Sequence, residues 1–240
     1  MAEVNFEKWI EIIKKPDWYF ELVPEFKKLV SLHDKDKPAY EKLKEEIYDF
    51  FEEHLLKGDI ALGESGEDWD VERKPIDTVV IHHTSNLSGL KESRLSAIEL
   101  VRIYAPFYFS PYPEENLKIK GQPIWSNHLR DGKQVFWPYH WCIKEDGTAE
   151  RLLRDNEIGW QAGNWEVNCK SVGICFDGDY EESRPSDLML SAVAKLIKDN
   201  YHDAKMIGHS EVNPQTTCPS RLFLSSKDRK GWKEDLLSMF

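Results

Sequence analysis

Between residues 3 and 56, apolar side chains recur three or four positions apart, the period of one helix face. Tyr40, Leu43, Ile47, Phe50, Phe51, His54 and Leu55 trace the longest stripe, and Phe6, Trp9, Ile10, Ile12 and Ile13 form another that Pro16 stops. The pattern predicts helices with one buried face. It then lapses: Gly58 and the run Gly63-Glu64-Ser65-Gly66-Glu67-Asp68 read as a linker. From Thr78 onward, short continuous apolar runs take over. Thr78–His83 and Ser171–Phe176 read as buried strands, and 205–209 as another. Residues 92–105, 186–201 and 228–239 read as helices, the second opened by Pro185 and Ser186. Residues 134–144 and 148–153 flank Asp146-Gly147, a hairpin signal. Strands alternating with helices predict an α/β fold: a central mixed β-sheet with helices on both faces, preceded by an N-terminal helical extension. The expected division is 1–70 for the extension and 71–240 for the second domain.

Composition narrows the class. Hydrophobic residues at 40% and charged residues at 31% are ordinary for a globular chain. No apolar run approaches the roughly 18–20 residues of a membrane span. The net charge of −11 argues against a nucleic-acid partner, because such a surface repels phosphate. Most of the excess lies in residues 1–70, which hold 10 lysines against 19 acidic residues. Met1–Lys8 shows no basic start followed by an apolar core, so no secretion signal is read and a cytoplasmic protein is expected. Of the four cysteines, Cys142 and Cys175 sit in strand-like runs and are expected to be buried free thiols. Cys169 sits in a polar loop, where a disulfide stays open.

Three candidate metal ligands fall near strand ends: His82, His209, and Cys218 nine residues further on. Two imidazoles and a thiolate leave one position of a tetrahedral zinc site open, the arrangement of a catalytic site. Spacing alone does not bring His82 to His209.

Four ordered segments carry a resemblance. They are Val80-Ile81-His82-His83-Thr84; 138–148, with Tyr139 and His140; Asn168-Cys169-Lys170-Ser171-Val172-Gly173-Ile174; and Gly208-His209-Ser210-Glu211-Val212-Asn213-Pro214, continuing to Cys218-Pro219. Over residues 76–239 the chain resembles the zinc-dependent N-acetylmuramoyl-L-alanine amidases of the type 2 family, which includes phage lysozyme-amidases and peptidoglycan-recognition proteins. The resemblance implies Zn2+ on His82, His209 and Cys218, with His83 pointing away. It implies that the Tyr139 hydroxyl assists the reaction and that Thr216 donates a hydrogen bond to the oxyanion. Two departures stand out. The catalytic glutamate of the cytosolic recycling members is replaced by Cys175, with Asp177 two residues on either a substitute or a turn residue. The His that often precedes Ala-Gly is Gln161 here.

The 56 residues between His82 and Tyr139 are rich in aromatics, including Tyr104, Tyr108, Trp125, Phe136 and Trp137. They suit either a sugar-binding surface or a lid with its own small core. Candidate substrate contacts are Trp125, Trp137, His140, Trp160 and Asn168, and Arg130, Arg151 and Arg154 could pair with peptide carboxylates. The expected function is hydrolysis of the amide between N-acetylmuramic acid and L-alanine in peptidoglycan or muropeptides, by a monomer. A non-catalytic peptidoglycan-recognition module, or a zinc amidase acting on another wall polymer, are the alternatives, and release to the wall by another route stays open. Residues 1–70 lie outside the resemblance. Their stripes are expected to dock on the second domain, anchored by Trp9, Trp18, Tyr19 and Phe20, with the acidic remainder facing solvent.

Overall fold

The computed structural model describes residues 4–33, 35–86, 88–112 and 114–239; Met1–Glu3, part of the leader reading, lie outside them. In chain order the helices and strands are α1 (Phe6–Ile12), α2 (Tyr19–Val30), α3 (Lys37–Lys57), β1 (Thr78–His83), α4 (Glu92–Glu99), α5 (Ala105–Phe109), β2 (Leu129–Arg130), β3 (Lys133–Gln134), β4 (Trp141–Ile143), β5 (Ala149–Arg151), α6 (Trp165–Lys170), β6 (Ser171–Phe176), α7 (Asp187–Asn200), β7 (Lys205–Gly208) and α8 (Trp232–Leu237). They form two compact units, Met1–Asp68 with Lys91–Phe136, and Trp69–Leu90 with Trp137–Phe240. The helical unit therefore takes in residues 91–136, which the sequence reading placed in the second domain.

In the helical unit, local chemistry sets the ends of α3. The Asp36 side chain accepts from the Ala39 N–H, Pro38 occupies the first turn, and Gly58 closes the helix at φ +77°. The predicted stripe is buried through Ile47, Phe50, Phe51 and His54. Phe51 is fully buried, with the rings of Trp9, Trp18, Phe26 and Phe50 at centroid distances of 5.3–6.3 Å. Tyr19 donates to the Gln122 carbonyl at 2.9 Å, and Phe20 lies 5.5 Å from Phe109. The N-terminal helices thus bury their stripes partly on the insert. Not all of their acids face solvent alone: Glu45, Asp49 and Glu52 converge on Arg94 at 2.7, 2.8 and 3.4 Å. The expected linker is tied down as well, with Gly63 bonded to Ile124 and Gln134, and Lys118 paired to Glu67 at 2.7 Å.

The helix expected over 92–105 is interrupted. α4 ends at Glu99, and a π-turn over Leu100–Tyr104 leads into α5. Pro106 lacks an N–H for the preceding turn, and the ladder widens so that the Ala105 N–H reaches the Leu100 carbonyl. Tyr104 and Phe136 are fully buried and stack edge to face at 5.0 Å, and Tyr108 is buried. These aromatics build the insert's own core.

The second unit holds a mixed five-stranded sheet in the order β5-β4-β6-β1-β7. β1 pairs in parallel with β6 and β7, β4 pairs in parallel with β6, and β5 runs antiparallel to β4. The α/β class with a mixed sheet flanked by helices follows the sequence expectation. The hairpin around Asp146-Gly147 is shorter than expected: its ladder begins at Trp141, because Lys133 and Gln134 pair instead with Leu129 and Arg130. Val79, Ile81, Val172, Ile174 and Phe176 pack with Met189, Leu190 and Val193 of α7 and with Trp232 and Leu236 of α8. Strand alternation then turns Val80, His82, Ser171, Gly173 and Cys175 to the opposite face. Among the described residues, no helix is long and apolar enough to cross a membrane.

Removing Phe51 opens a cavity among four aromatic rings. Phe51→Ala is expected to destabilise the helical unit by about 3–5 kcal/mol. Denaturant unfolding reads this directly, and a midpoint equal to that of the unmodified chain would mean that this cluster does not hold the unit together.

Candidate metal centre

His82 lies near the carboxyl end of β1, opposite Cys175 of β6. β7 ends at Gly208, opposite Ile81, so His209 leaves the sheet beside His82 at the start of a 3-10 turn over His209–Glu211. That turn is fixed by the Glu211 carboxylate, which accepts from the Gly208 N–H at 2.7 Å and pairs with Lys233. Gly208 has no room for a side chain: a Cβ there would lie 2.5 Å from the Phe223 ring. Cys218 returns to the same place because its carbonyl accepts from the Ser210 N–H at 2.7 Å.

The three side chains converge. One donor atom from each of His82, His209 and Cys218 lies within 4.8 Å of the others, a group able to hold a metal ion. The two imidazole centroids are 4.7 Å apart, and the Cys218 sulfur is 3.7 Å from His82 Nδ1. Burial, reinforced by neighbouring His209, pushes the His82 pKa well below its ordinary value. The ring is therefore held neutral, the form that donates a lone pair to a metal.

Tyr139 packs its ring 4.9 Å from that of His82. The Thr216 hydroxyl oxygen accepts from the Cys218 N–H at 3.1 Å, so its own hydrogen remains to be donated elsewhere. His83 turns to the other side of β1, where Nδ1 accepts from the Tyr180 N–H and Nε2 contacts Ser85 Oγ, both at 2.9 Å.

Several expected substrate contacts have internal roles. His140 is fully buried; its Nδ1 accepts from the Gly173 N–H at 3.1 Å and its Nε2 donates to the Glu157 carbonyl at 3.0 Å. Burial pushes its pKa down to about 3, so it is a neutral strand-to-loop clamp with both nitrogens engaged. Asn168 is buried and accepts from the Ala162 N–H at 2.9 Å, which shapes the 159–163 loop. Trp137 is buried. Trp160 is half-buried and meets Trp69 and Trp165 edge to face. Trp125 belongs to the helical unit, where it lines a pocket of about 210 Å³ with Gly66 and Tyr108. Arg151 is spent on Asp155, Tyr201 and the face of Trp141. The Asp177 carboxylate accepts from the Gly89 and Leu90 N–H groups and pairs with Lys144, which makes it an anchor for the loop after β1. Cys142, Cys169, Cys175 and Cys218 are all buried, and none of them is in a disulfide.

Sequence reasoning passed over two groups that shape the centre. Glu211 was a signal in plain sight, since an acid three residues after Gly208 can cap the turn that carries His209. In sequence Gln161 is only a departure from the family pattern, yet its side-chain oxygen makes a short contact with His82 Nε2.

The family model described as N-acetylmuramoyl-L-alanine amidase matches residues 72–221. The chain is similar to the endolysin of Escherichia phage T7, 32% identical over 92 residues, which is 34% of this chain and 58% of that relative, so it spans under two thirds of the phage protein's length. It is also similar to peptidoglycan-recognition protein 2 of Holotrichia diomphalia, 29% identical over 168 residues, covering 66% of this chain and 75% of the relative. Among solved structures, the N-acetylmuramoyl-L-alanine amidase LysC from Clostridium intestinale aligns at 20% identity and a TM-score of 0.44, over 72% of this chain and 89% of that one. The family match spans more than half of the 240 residues, and the chain belongs to the N-acetylmuramoyl-L-alanine amidase family.

Proposed function

We propose that the chain is a zinc-dependent hydrolase of the amide between N-acetylmuramic acid and L-alanine in peptidoglycan or muropeptides. Family membership supports either a peptidoglycan amidase or a peptidoglycan-recognition protein. The observation that carries the catalytic reading is the convergence of His82, His209 and Cys218. This donor set fits zinc. Tetrahedral bonds of about 2.0–2.1 Å to nitrogen and about 2.3 Å to sulfur place those atoms about 3.6 Å apart, and Cys218 Sγ lies 3.7 Å from His82 Nδ1. Three protein donors leave one position for water or substrate, as catalytic sites require.

A zinc ion held by His82, His209 and Cys218 would supply Lewis acidity and would lower the pKa of water to about 7. The chain's own residues do the rest. Thr216, its oxygen already occupied by the Cys218 N–H, aims its hydrogen at the carbonyl oxygen as negative charge develops there. Tyr139, its ring tilted against that of His82, carries a proton toward the leaving amine. Asp177 is committed to the Gly89–Leu90 loop, which assigns it no part in proton transfer.

In this reading the N-terminal segment is structural and not a wall-targeting module, and the protein acts as a monomer. Its acidic surplus disfavours anionic wall polymers.

Elemental analysis should find one zinc per chain, lost in His82→Ala and in Cys218→Ala; a full equivalent retained in both variants would remove the assignment. Tyr139→Phe should keep the metal and slow turnover of purified peptidoglycan by about 10²–10⁴-fold, and Thr216→Val should slow it by less. Unchanged kcat in Tyr139→Phe would leave that ring a packing role only. Mass spectrometry of the products identifies the amide cut, and metal uptake with ligand binding but no turnover would favour a recognition protein. A chain beginning near Asp70 should melt lower yet keep its zinc. Unchanged melting with lost sedimentation on peptidoglycan would make residues 1–70 a binding module instead.

A further inference from the structure

The face of the sheet that carries His82 also carries Ser171 and Gly173 of β6, and the Gln161 side chain lies across it. The Gln161 amide nitrogen contacts Ser171 Oγ at 2.8 Å, and its oxygen faces His82 Nε2. Gln161 is itself buried, so neither end of the amide is shared freely with water. Gly173 makes room for it: a Cβ at that position would stand 3.2 Å from Gln161 Cγ and 3.3 Å from Cδ. The loop that delivers Gln161 is pinned next door, where the Ala162 N–H meets Asn168.

We propose that Gln161 is a positioning residue that holds His82 in the tautomer protonated on Nε2, and so presents the Nδ1 lone pair to the metal. A carbonyl oxygen can only accept, so the Nε2 atom it faces must carry the hydrogen. The remaining nitrogen, Nδ1, is the one that points at Cys218. Reversing the amide would place a hydrogen on Nδ1, aimed at the thiolate, and would close the site to a cation. In the orientation seen, Ser171 Oγ takes the amide N–H and the amide oxygen is left for His82. An amide thereby does here what a carboxylate or backbone carbonyl does behind other metal-binding histidines. The inference rests on the zinc reading for its consequence, and on the Gln161–His82 geometry alone for the tautomer.

The test uses the full chain in two measurements. Long-range 1H–15N correlation spectra of the metal-free protein report which nitrogen of His82 carries the proton, and competition against a chelating dye gives the zinc affinity. The unmodified chain should show the Nε2-protonated ring. Gln161→Met, similar in length but without an acceptor, should lose the single tautomer and weaken zinc binding by about 10–100-fold. Gln161→Glu, which restores an accepting oxygen, should recover both, a rescue that a purely packing role would not produce. Ser171→Ala and Gly173→Ala should shift both readouts in the same direction by smaller amounts, and they carry the test if Gln161→Met does not fold. A ring protonated on Nδ1 in the unmodified chain, or a Gln161→Met protein with unchanged tautomer and affinity, would overturn the proposal. If the unmodified chain takes up no zinc, the zinc reading falls, and the tautomer comparison by itself decides whether Gln161 sets the ring.

Discussion

β1 is paired in parallel along both of its edges, with β6 from Thr78 to His83 and with β7 from Thr78 to Ile81. Parallel strands deliver their carboxyl ends to one side of a sheet, and ligand sites in open α/β sheets lie beyond those ends. The pairing of Ile81 with Gly208 fixes how far apart the next residues along each strand can be, and those residues are His82 and His209. A slip of one residue in β1 would turn His82 to the α7 side, because side chains alternate faces. The centre therefore depends on the apolar contacts that lock this register, chiefly Val79 and Ile81 against α7.

Around that register the centre is held by short local devices. Glu211 caps the turn that begins with His209, and the Ser210 N–H binds the Cys218 carbonyl. Thr216 braces the Cys218 backbone from the other side. Each is a backbone group satisfied at the edge of a buried site, where an unmade hydrogen bond is costly. His140 serves the same end one strand away, linking Gly173 to the loop at Glu157.

The helical unit solves a different problem. Helices of 7, 12 and 21 residues bury little surface on their own. Their aromatic faces close partly on one another, around Phe51, and partly on residues 91–136, through contacts such as Tyr19 with Gln122 and Phe20 with Phe109, while Arg94 meets the acidic side of α3. Two segments far apart in sequence thus share one core, with β1 and its following loop intervening in the chain.

The sequence by itself determined the element types. Apolar period, caps at Asp36 and Ser186, and the Asp146-Gly147 turn are local signals, and helices and strands form largely on local signals. It also named the candidate donors His82, His209 and Cys218, with family resemblance joining them, because metal chemistry restricts the choice to a few side chains. Only the tertiary structure decided that 91–136 closes with the N-terminal helices, since a stripe shows that a face is buried and not what covers it. Only the tertiary structure separated Asn168 and His140, which brace loops, from residues open to a ligand, because burial and partner are properties of the packed chain. Gln161 shows the limit most plainly. Its role arises where a loop crosses β6 at Ser171 and Gly173 and meets β1 at His82, a junction of three segments that no spacing along the chain encodes.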